Sequence, residues 1–214
     1  LRQSIGIIPQ DPQMFTGTIK TNLDPYDEYS DEQIFESLRR VNLISKEELS
    51  SLKSNNYKKI ASKESSSSED ETSNNNVNKF LNLNNAITEG GSNISQGQRQ
   101  LICLARTLLR QPKVILLDEA TASLDYKSDQ IIQQTVREEF SNCTIMTIAH
   151  RLKTVIDYDK IVVLDNGLLK EYDHPYSLLL NKDSIFYSMC EDSGELDTLL
   201  KLAKEAFVKQ LNSS

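Results

Sequence analysis

The sequence predicts an α/β fold built on a mostly parallel sheet with an antiparallel edge hairpin. Three observations predict it. Residues 114–117 are a short, continuous apolar run, as expected of a strand buried on both faces of a parallel sheet, and residues 144–149 read as a second buried strand. Stretches with apolar residues three and four apart alternate with those runs and predict helices between them. Residues 161–165, then Asn166-Gly167, then 168–172 predict a hairpin closed by a type I′ turn.

Taken in order, residues 4–8 form a short apolar strand closed by Pro9 and Pro12. Thr16-Gly17-Thr18 leads towards a helix. Ser30-Asp31-Glu32-Gln33 has capping-box spacing, and Ile34, Leu38 and Val41 follow on one helical face. From about 53 to 78, serine, asparagine, lysine and acidic residues dominate. So little apolar surface does not offset ordering entropy, and a disordered insertion is predicted. Its serine run 65–68 leads into Glu69-Asp70-Glu71, which suits either a phosphorylation target or a solvated linker. Ser95 opens a helix with Leu101, Leu104, Ala105 and Leu108 on its apolar face, ended by Gln111-Pro112. A helix from about 126 to 140 carries Ile132, Val136 and Phe140. The last helix, about 195–211, lines up Leu196, Leu199, Leu200, Ala203 and Phe207, a stripe expected to pack on its own domain. In such a sheet, ligands belong at the carboxyl ends of the strands.

Composition narrows the function. The chain has 214 residues, 38% hydrophobic and 26% charged, which suits one globular domain. A net charge of −7 argues against non-specific nucleic-acid binding through a basic face. Cys103, Cys143 and Cys190 lie far apart without CxxC spacing, so neither zinc nor a disulfide framework is predicted and a reducing compartment fits. No apolar run approaches the roughly 20 residues that span a bilayer. No signal peptide and no initiator Met open the chain, so any membrane role is expected to come through a partner or further polypeptide.

Two segments carry chemistry. Val114-Ile115-Leu116-Leu117-Asp118-Glu119 ends an apolar strand in two carboxylates. Phosphoryl transfer from ATP needs magnesium and an oriented water. Asp118 is placed to hold magnesium through a water, and Glu119, pointing to the other side of the chain, to polarise the attacking water. Taken alone the pair also suits an ordinary acidic loop after a buried strand. In Ile94-Ser95-Gln96-Gly97-Gln98-Arg99-Gln100, Ser95 and Gln98 form a capping box, and the same helix start offers N–H groups and partial positive charge to a phosphate. Gly97 lets the backbone come close. The two readings are compatible.

These residues resemble the ABC ATPases. Residues 94–98 resemble their signature motif, 114–119 their Walker B strand, and Ser123-Leu124-Asp125 their D-loop. His150 looks like the switch histidine and Gln10, in Ile8-Pro9-Gln10-Asp11-Pro12, like the Q-loop glutamine. All five occur in family order over about residues 4–171. Ile8-Pro9-Gln10-Asp11-Pro12, Asn22-Leu23-Asp24-Pro25 and Glu89-Gly90-Gly91-Ser92-Asn93 are similar to the second nucleotide-binding domain of C-subfamily (multidrug-resistance-associated) exporters. The tail, Asp173-His174-Pro175-Tyr176-Ser177 with Ser193-Gly194-Glu195-Leu196, is similar to fungal vacuolar members.

The resemblance implies a P-loop-NTPase-like domain over 1–180, with a helical subdomain inserted at about 18–110 and a helical extension at 181–214. It implies ATP and magnesium as cofactors. Asp118 and Gln10 would serve the metal, Glu119 and Gln10 the water, and His150 the γ-phosphate. Ser95, Gln96, Gly97 and Gln98 would touch ATP held by a second, head-to-tail nucleotide-binding domain, and Asp125 would meet that partner; its local alternative is an N-cap. Ser-Gln-Gly replaces the commoner Ser-Gly-Gly, and Ile94 the usual Leu. No G-x-x-x-x-G-K-[ST] loop occurs in the sequence. In the family that loop and the adenine-stacking aromatic lie upstream of the Q-loop, before Leu1.

The implied function is ATP hydrolysis that powers export of organic anions or conjugates, with transmembrane domains as partners, at the cytosolic face of a vacuolar membrane. The alternative is an inactive fragment that supplies only a partner surface. A soluble ABC ATPase of DNA repair or translation is disfavoured by the acidic balance and the lack of long coiled-coil arms.

Overall fold

The computed structural model describes residues 4–54, 78–118 and 124–213, divided into two units, 1–148 and 149–214.

In the first unit, β1 (Ile5–Ile8), β4 (Val114–Asp118) and β5 (Thr144–Ile148) form a parallel sheet in the order β1-β4-β5. The register pairs Ile8 with Leu117 and Asp118 with Ile148. A two-residue antiparallel pair, β2 (Gly17–Thr18) with β3 (Ala86–Ile87), stands apart from it. Thr18 caps α1 (Ile19–Leu23) and Ser30 caps α2 (Asp31–Arg40), each through a reciprocal capping box. Ile34, Leu38 and Val41 are all buried, as their spacing predicts. α3 (Lys46–Ser54), which no sequence signal above predicts, ends the first described stretch. In the next stretch Asn78 donates its Nδ2 to the Leu43 carbonyl at 2.7 Å. Residues 55–77, with the serine run and the acidic residues after it, lie outside the described residues.

The helix opened by Ser95 is α4 (Gln96–Arg110). It ends as expected: Gln111 turns left-handed at φ 48° just before Pro112. Ile102, Leu104 and Ala105 are fully buried. α4 packs against β1 and α2, and α5 (Tyr126–Glu139) packs against α4. Ile132 and Val136 of α5, with Phe140, join Ile8, Ile115 and Leu117 in one core.

One expectation fails here. The run 114–117 predicts a strand buried on both faces, and 144–149 a second buried strand. Instead β4 alternates, with Ile115 and Leu117 buried and Val114 and Leu116 partly open. The neighbours in register follow: Ile7 is 62% exposed and Met146 63%. Helices cover the side where Ile8, Ile115 and Leu117 point. Side chains on a strand alternate between faces, so the other row stays open. An unbroken apolar run gives no sign of which face is covered.

In the second unit, β6 (Ile161–Asp165) and β7 (Leu168–Asp173) form the predicted hairpin. Asn166 (φ 48°) and Gly167 (φ 75°) both take the left-handed conformation that a type I′ turn requires. The short α6 (Leu152–Val155) precedes it, and α7 (Pro175–Leu180), α8 (Ile185–Asp192) and α9 (Leu196–Ser213) follow. Leu199 and Ala203 of the α9 stripe are buried with Leu179, Phe186 and Cys190 in the core of this unit. The Glu171 carboxylate caps α8, accepting from Ile185 N at 2.6 Å, Phe186 N at 3.1 Å and Ser184 Oγ at 3.0 Å. No helix among the described residues is long and apolar enough to cross a membrane. All three cysteines are free thiols, and burial pushes Cys190 up to about 11, so it stays protonated and unreactive at neutral pH.

His174 caps α7. Its Nδ1 accepts the Tyr176 N–H at 3.0 Å, so that nitrogen carries no proton, and Phe207 packs edge-on with ring centroids 4.9 Å apart. Burial lowers the His174 pKa, against an opposing pull from Asp159. Below about pH 6.5 the unfolded chain therefore binds a proton that the folded chain resists. Stability present above that pH should fall as the pH drops towards the lower folded-state value. Thermal melts of the chain across this range should show that loss, and His174→Gln should flatten the profile.

Candidate functional site

Asp118 is the last residue of β4 and is exposed. In the parallel register Leu117 faces Ile8, so Pro9 and Gln10 leave β1 at the same sheet end. The register thus puts Asp118 and Gln10 at the same end of the sheet. Glu119 and Ser123 lie outside the described residues. His150 is exposed, two residues beyond the end of β5, and belongs to the second unit.

Two polar side chains of α4 hold the segment around Gln10. Gln100, only 1% exposed, donates Nε2 to the Pro9 carbonyl at 3.0 Å. Arg106 sends its fork to the Gln13 carbonyl (2.9 Å), Asn22 Oδ1 (3.0 Å) and the Asn22 carbonyl, while Phe15 lies within cation–π range. Asn22 then exchanges hydrogen bonds with the Phe15 backbone, Phe15 N to Oδ1 at 2.9 Å and Nδ2 to O at 2.8 Å. Burial pulls the Arg106 pKa down, but a guanidinium keeps its charge in proteins, and carbonyl acceptors replace its lost water. Neither Gln100 nor Arg106 is given a role by a motif singled out in the sequence. Their signal was present: a Gln and an Arg interrupting an otherwise apolar helix face.

Residues 88–94 form a cross-braced loop before α4. Gly90 and Gly91 turn left-handed, at φ 62° and 70°. A Cβ at Gly91 would meet Met14 Cγ at 2.7 Å and Arg99 Cδ at 3.0 Å, so backbone strain and crowding both demand glycine there. Arg99 donates to the Gly91 and Ile94 carbonyls, each at 3.2 Å, and Lys79 to the Asn93 carbonyl at 3.0 Å. This bracing fixes where α4 begins.

At that start the predicted capping box is present. Ser95 Oγ accepts from Gln98 N at 3.2 Å, and Gln98 Oε1 from Ser95 N at 3.1 Å. These bonds use one oxygen from each side chain and consume neither the Ser95 O–H nor the Gln98 NH2. Ser95 is exposed, with Gln96 and Gln98 half-buried beside it, so the helix start presents donors that suit an anion. Gly97 is buried, and its missing side chain faces α5: a Cβ there would lie 2.8 Å from Ser128 Oγ and 3.0 Å from Ser128 Cβ.

Asp125 is the N-cap of α5, as its local alternative predicts. Its Oδ1 accepts from Lys127 N and Ser128 N, each at 3.1 Å, and its Oδ2 from Ser128 Oγ at 2.6 Å. The Ser128 hydroxyl, ahead of the backbone donors, lowers the Asp125 pKa and keeps the carboxylate ionised.

Among the described residues no three His, Cys, Asp or Glu side chains gather into a metal cage. Magnesium needs none: it is held by one or two carboxylates with waters and substrate phosphates, and exposed Asp118 beside Gln10 fits that pattern. Arg106→Lys keeps the charge but loses the fork that spans Gln13 and Asn22. It should destabilise the chain by about 1.5–3 kcal/mol in urea unfolding, because hydrogen bonds to a charged group are lost and carbonyls stay buried.

A family model described as "ABC transporter" matches residues 1–122. The chain is 67% identical over 213 residues to an ATP-dependent bile acid permease of Saccharomyces cerevisiae, covering 100% of this chain and 12% of that protein. It is 64% identical over 213 residues to a pleiotropic ABC efflux transporter of multiple drugs from Candida glabrata, again 100% and 12%. Human ATP-binding cassette sub-family C member 4 is 42% identical over 212 residues, covering 98% and 14%. The chain therefore spans only 12 to 14% of the length of these relatives.

Proposed function

This chain belongs to the ABC transporter family, and on that premise we propose that it is part of an ATP-binding and ATP-hydrolysing domain that powers export of organic anions or conjugates across a membrane. The observation that carries the reading is the shared sheet end of Asp118 and Gln10, held in place from α4 by Gln100 and Arg106.

Asp118 would hold magnesium, and Gln10 would serve the ion and the attacking water. Magnesium supplies neutralisation of the charge that develops on the transferred phosphoryl group. Glu119 accepts the proton from the water. His150 holds the γ-phosphate. Ser95, Gln96, Gly97 and Gln98 turn their donor-rich helix start to ATP bound by a second nucleotide-binding domain in a head-to-tail pair, and Asp125 meets that domain. The names of the relatives, a bile acid permease and a multidrug efflux transporter, support amphipathic or organic-anion cargo. The domain works at the cytosolic face of a membrane, the vacuolar one on the fungal resemblance.

The 214 residues hold no G-x-x-x-x-G-K-[ST] loop. The cradle for the β- and γ-phosphates is therefore not assigned to these residues. The same observation favours a second reading, in which this chain by itself offers only a partner surface. Tight magnesium-dependent ATP binding by the 214-residue chain alone would count against it.

In the full-length protein, Glu119→Gln should lower ATP turnover by about 10²–10⁴-fold while ATP stays bound, measured in membrane vesicles. Unchanged turnover would remove Glu119 from the role of base.

A further inference from the structure

We propose that Ser128 is a positioning residue that aims the Asp125 carboxylate and, through its contact with Gly97, makes that aim depend on the first turn of α4.

The two oxygens of Asp125 are divided between two tasks. Oδ1 takes both backbone N–H groups and so does the capping of α5. Oδ2 takes no part in that capping; its bond comes from Ser128 Oγ at 2.6 Å, the length of a hydroxyl bound to a charged oxygen. The terminal torsion of an aspartate is broad. Bonds to both oxygens fix it, and Oδ2 keeps a second lone-pair direction for a donor outside this chain. Helix capping alone does not call for the Ser128 hydroxyl.

The other side of Ser128 lies against Gly97. The backbone there is not left-handed, so glycine is required for room and not for conformation. A single methyl at 97 would stand 2.8 Å from the same Oγ that holds Oδ2. It would have to displace Ser128 and break the bond to Asp125. The helix start that presents Ser95 and Gln98 and the carboxylate at 125 are therefore in register through one hydroxyl. A shift of either helix start is felt at the other.

This inference rests on the proposed function, in which both groups face a second nucleotide-binding domain. Its test uses the full-length transporter in vesicles, with steady-state magnesium-ATPase as readout. Ser128→Ala should lower kcat about tenfold, the scale of one hydrogen bond to a charged group, with KM for ATP nearly unchanged. Ser128→Thr, which restores the hydroxyl, should recover most of the loss. Ser128→Ala added to Asp125→Asn, or to Gly97→Ala, should cost much less than it does alone, because the three residues act as a unit. Full additivity in either double variant, or failure of Thr to outperform Ala, would overturn the proposal. A wild-type protein without magnesium-ATPase would instead overturn the functional reading beneath it.

Discussion

The rest of the first unit depends on one constraint: a largely apolar helix, α4, carries two polar side chains to backbone carbonyls far away in sequence. Gln100 reaches Pro9 across 91 residues, and Arg106 reaches Gln13 and Asn22 across 93 and 84. Ile102, Leu104 and Ala105 bury the helix and set its rotation. That rotation aims the polar pair. The Pro9 and Gln13 carbonyls belong to irregular chain, whose polar groups have no strand or helix to pair with, and the Asn22 carbonyl lies at the end of the short α1. Satisfying them from α4 turns a loop into a fixed strut and gives Gln10 a defined place beside Asp118.

At the start of the same helix, stability and binding chemistry share their atoms. The capping box that begins α4 uses neither the Ser95 O–H nor the Gln98 NH2. The N-cap that begins α5 leaves one carboxylate oxygen directed by a neighbouring hydroxyl. In both places helix formation determines which donors and acceptors remain for a ligand or a partner. The second unit uses similar means for packing: Glu171 caps α8 from a strand, and His174 caps α7 while its ring packs against Phe207.

Local pattern made much of this legible. Ser95 and Gln98 marked the start of α4, Gln111-Pro112 its end, and Asn166-Gly167 the hairpin turn, because each signal acts over four residues or fewer. Asp118 and Gln10 share a sheet end because parallel strands end together, which the apolar runs were enough to suggest. What stayed hidden was set by partners distant in the chain. Nothing in Val114-Ile115-Leu116-Leu117 says which two side chains will be covered. Nothing near Gly97 says that the neighbour it makes room for is Ser128, 31 positions later. β2 and β3, two residues each, are too short to show a period.

The long span of the α4 tethers has a consequence for biosynthesis. Chains lengthen at about 5–20 residues per second, so Gln10 is made roughly five to twenty seconds before Arg106. For that interval the nascent segment around Gln10 has no anchor, and a contact of such separation forms late in folding. Assembly of this sheet end is thus timed by translation of a helix that is not part of the sheet.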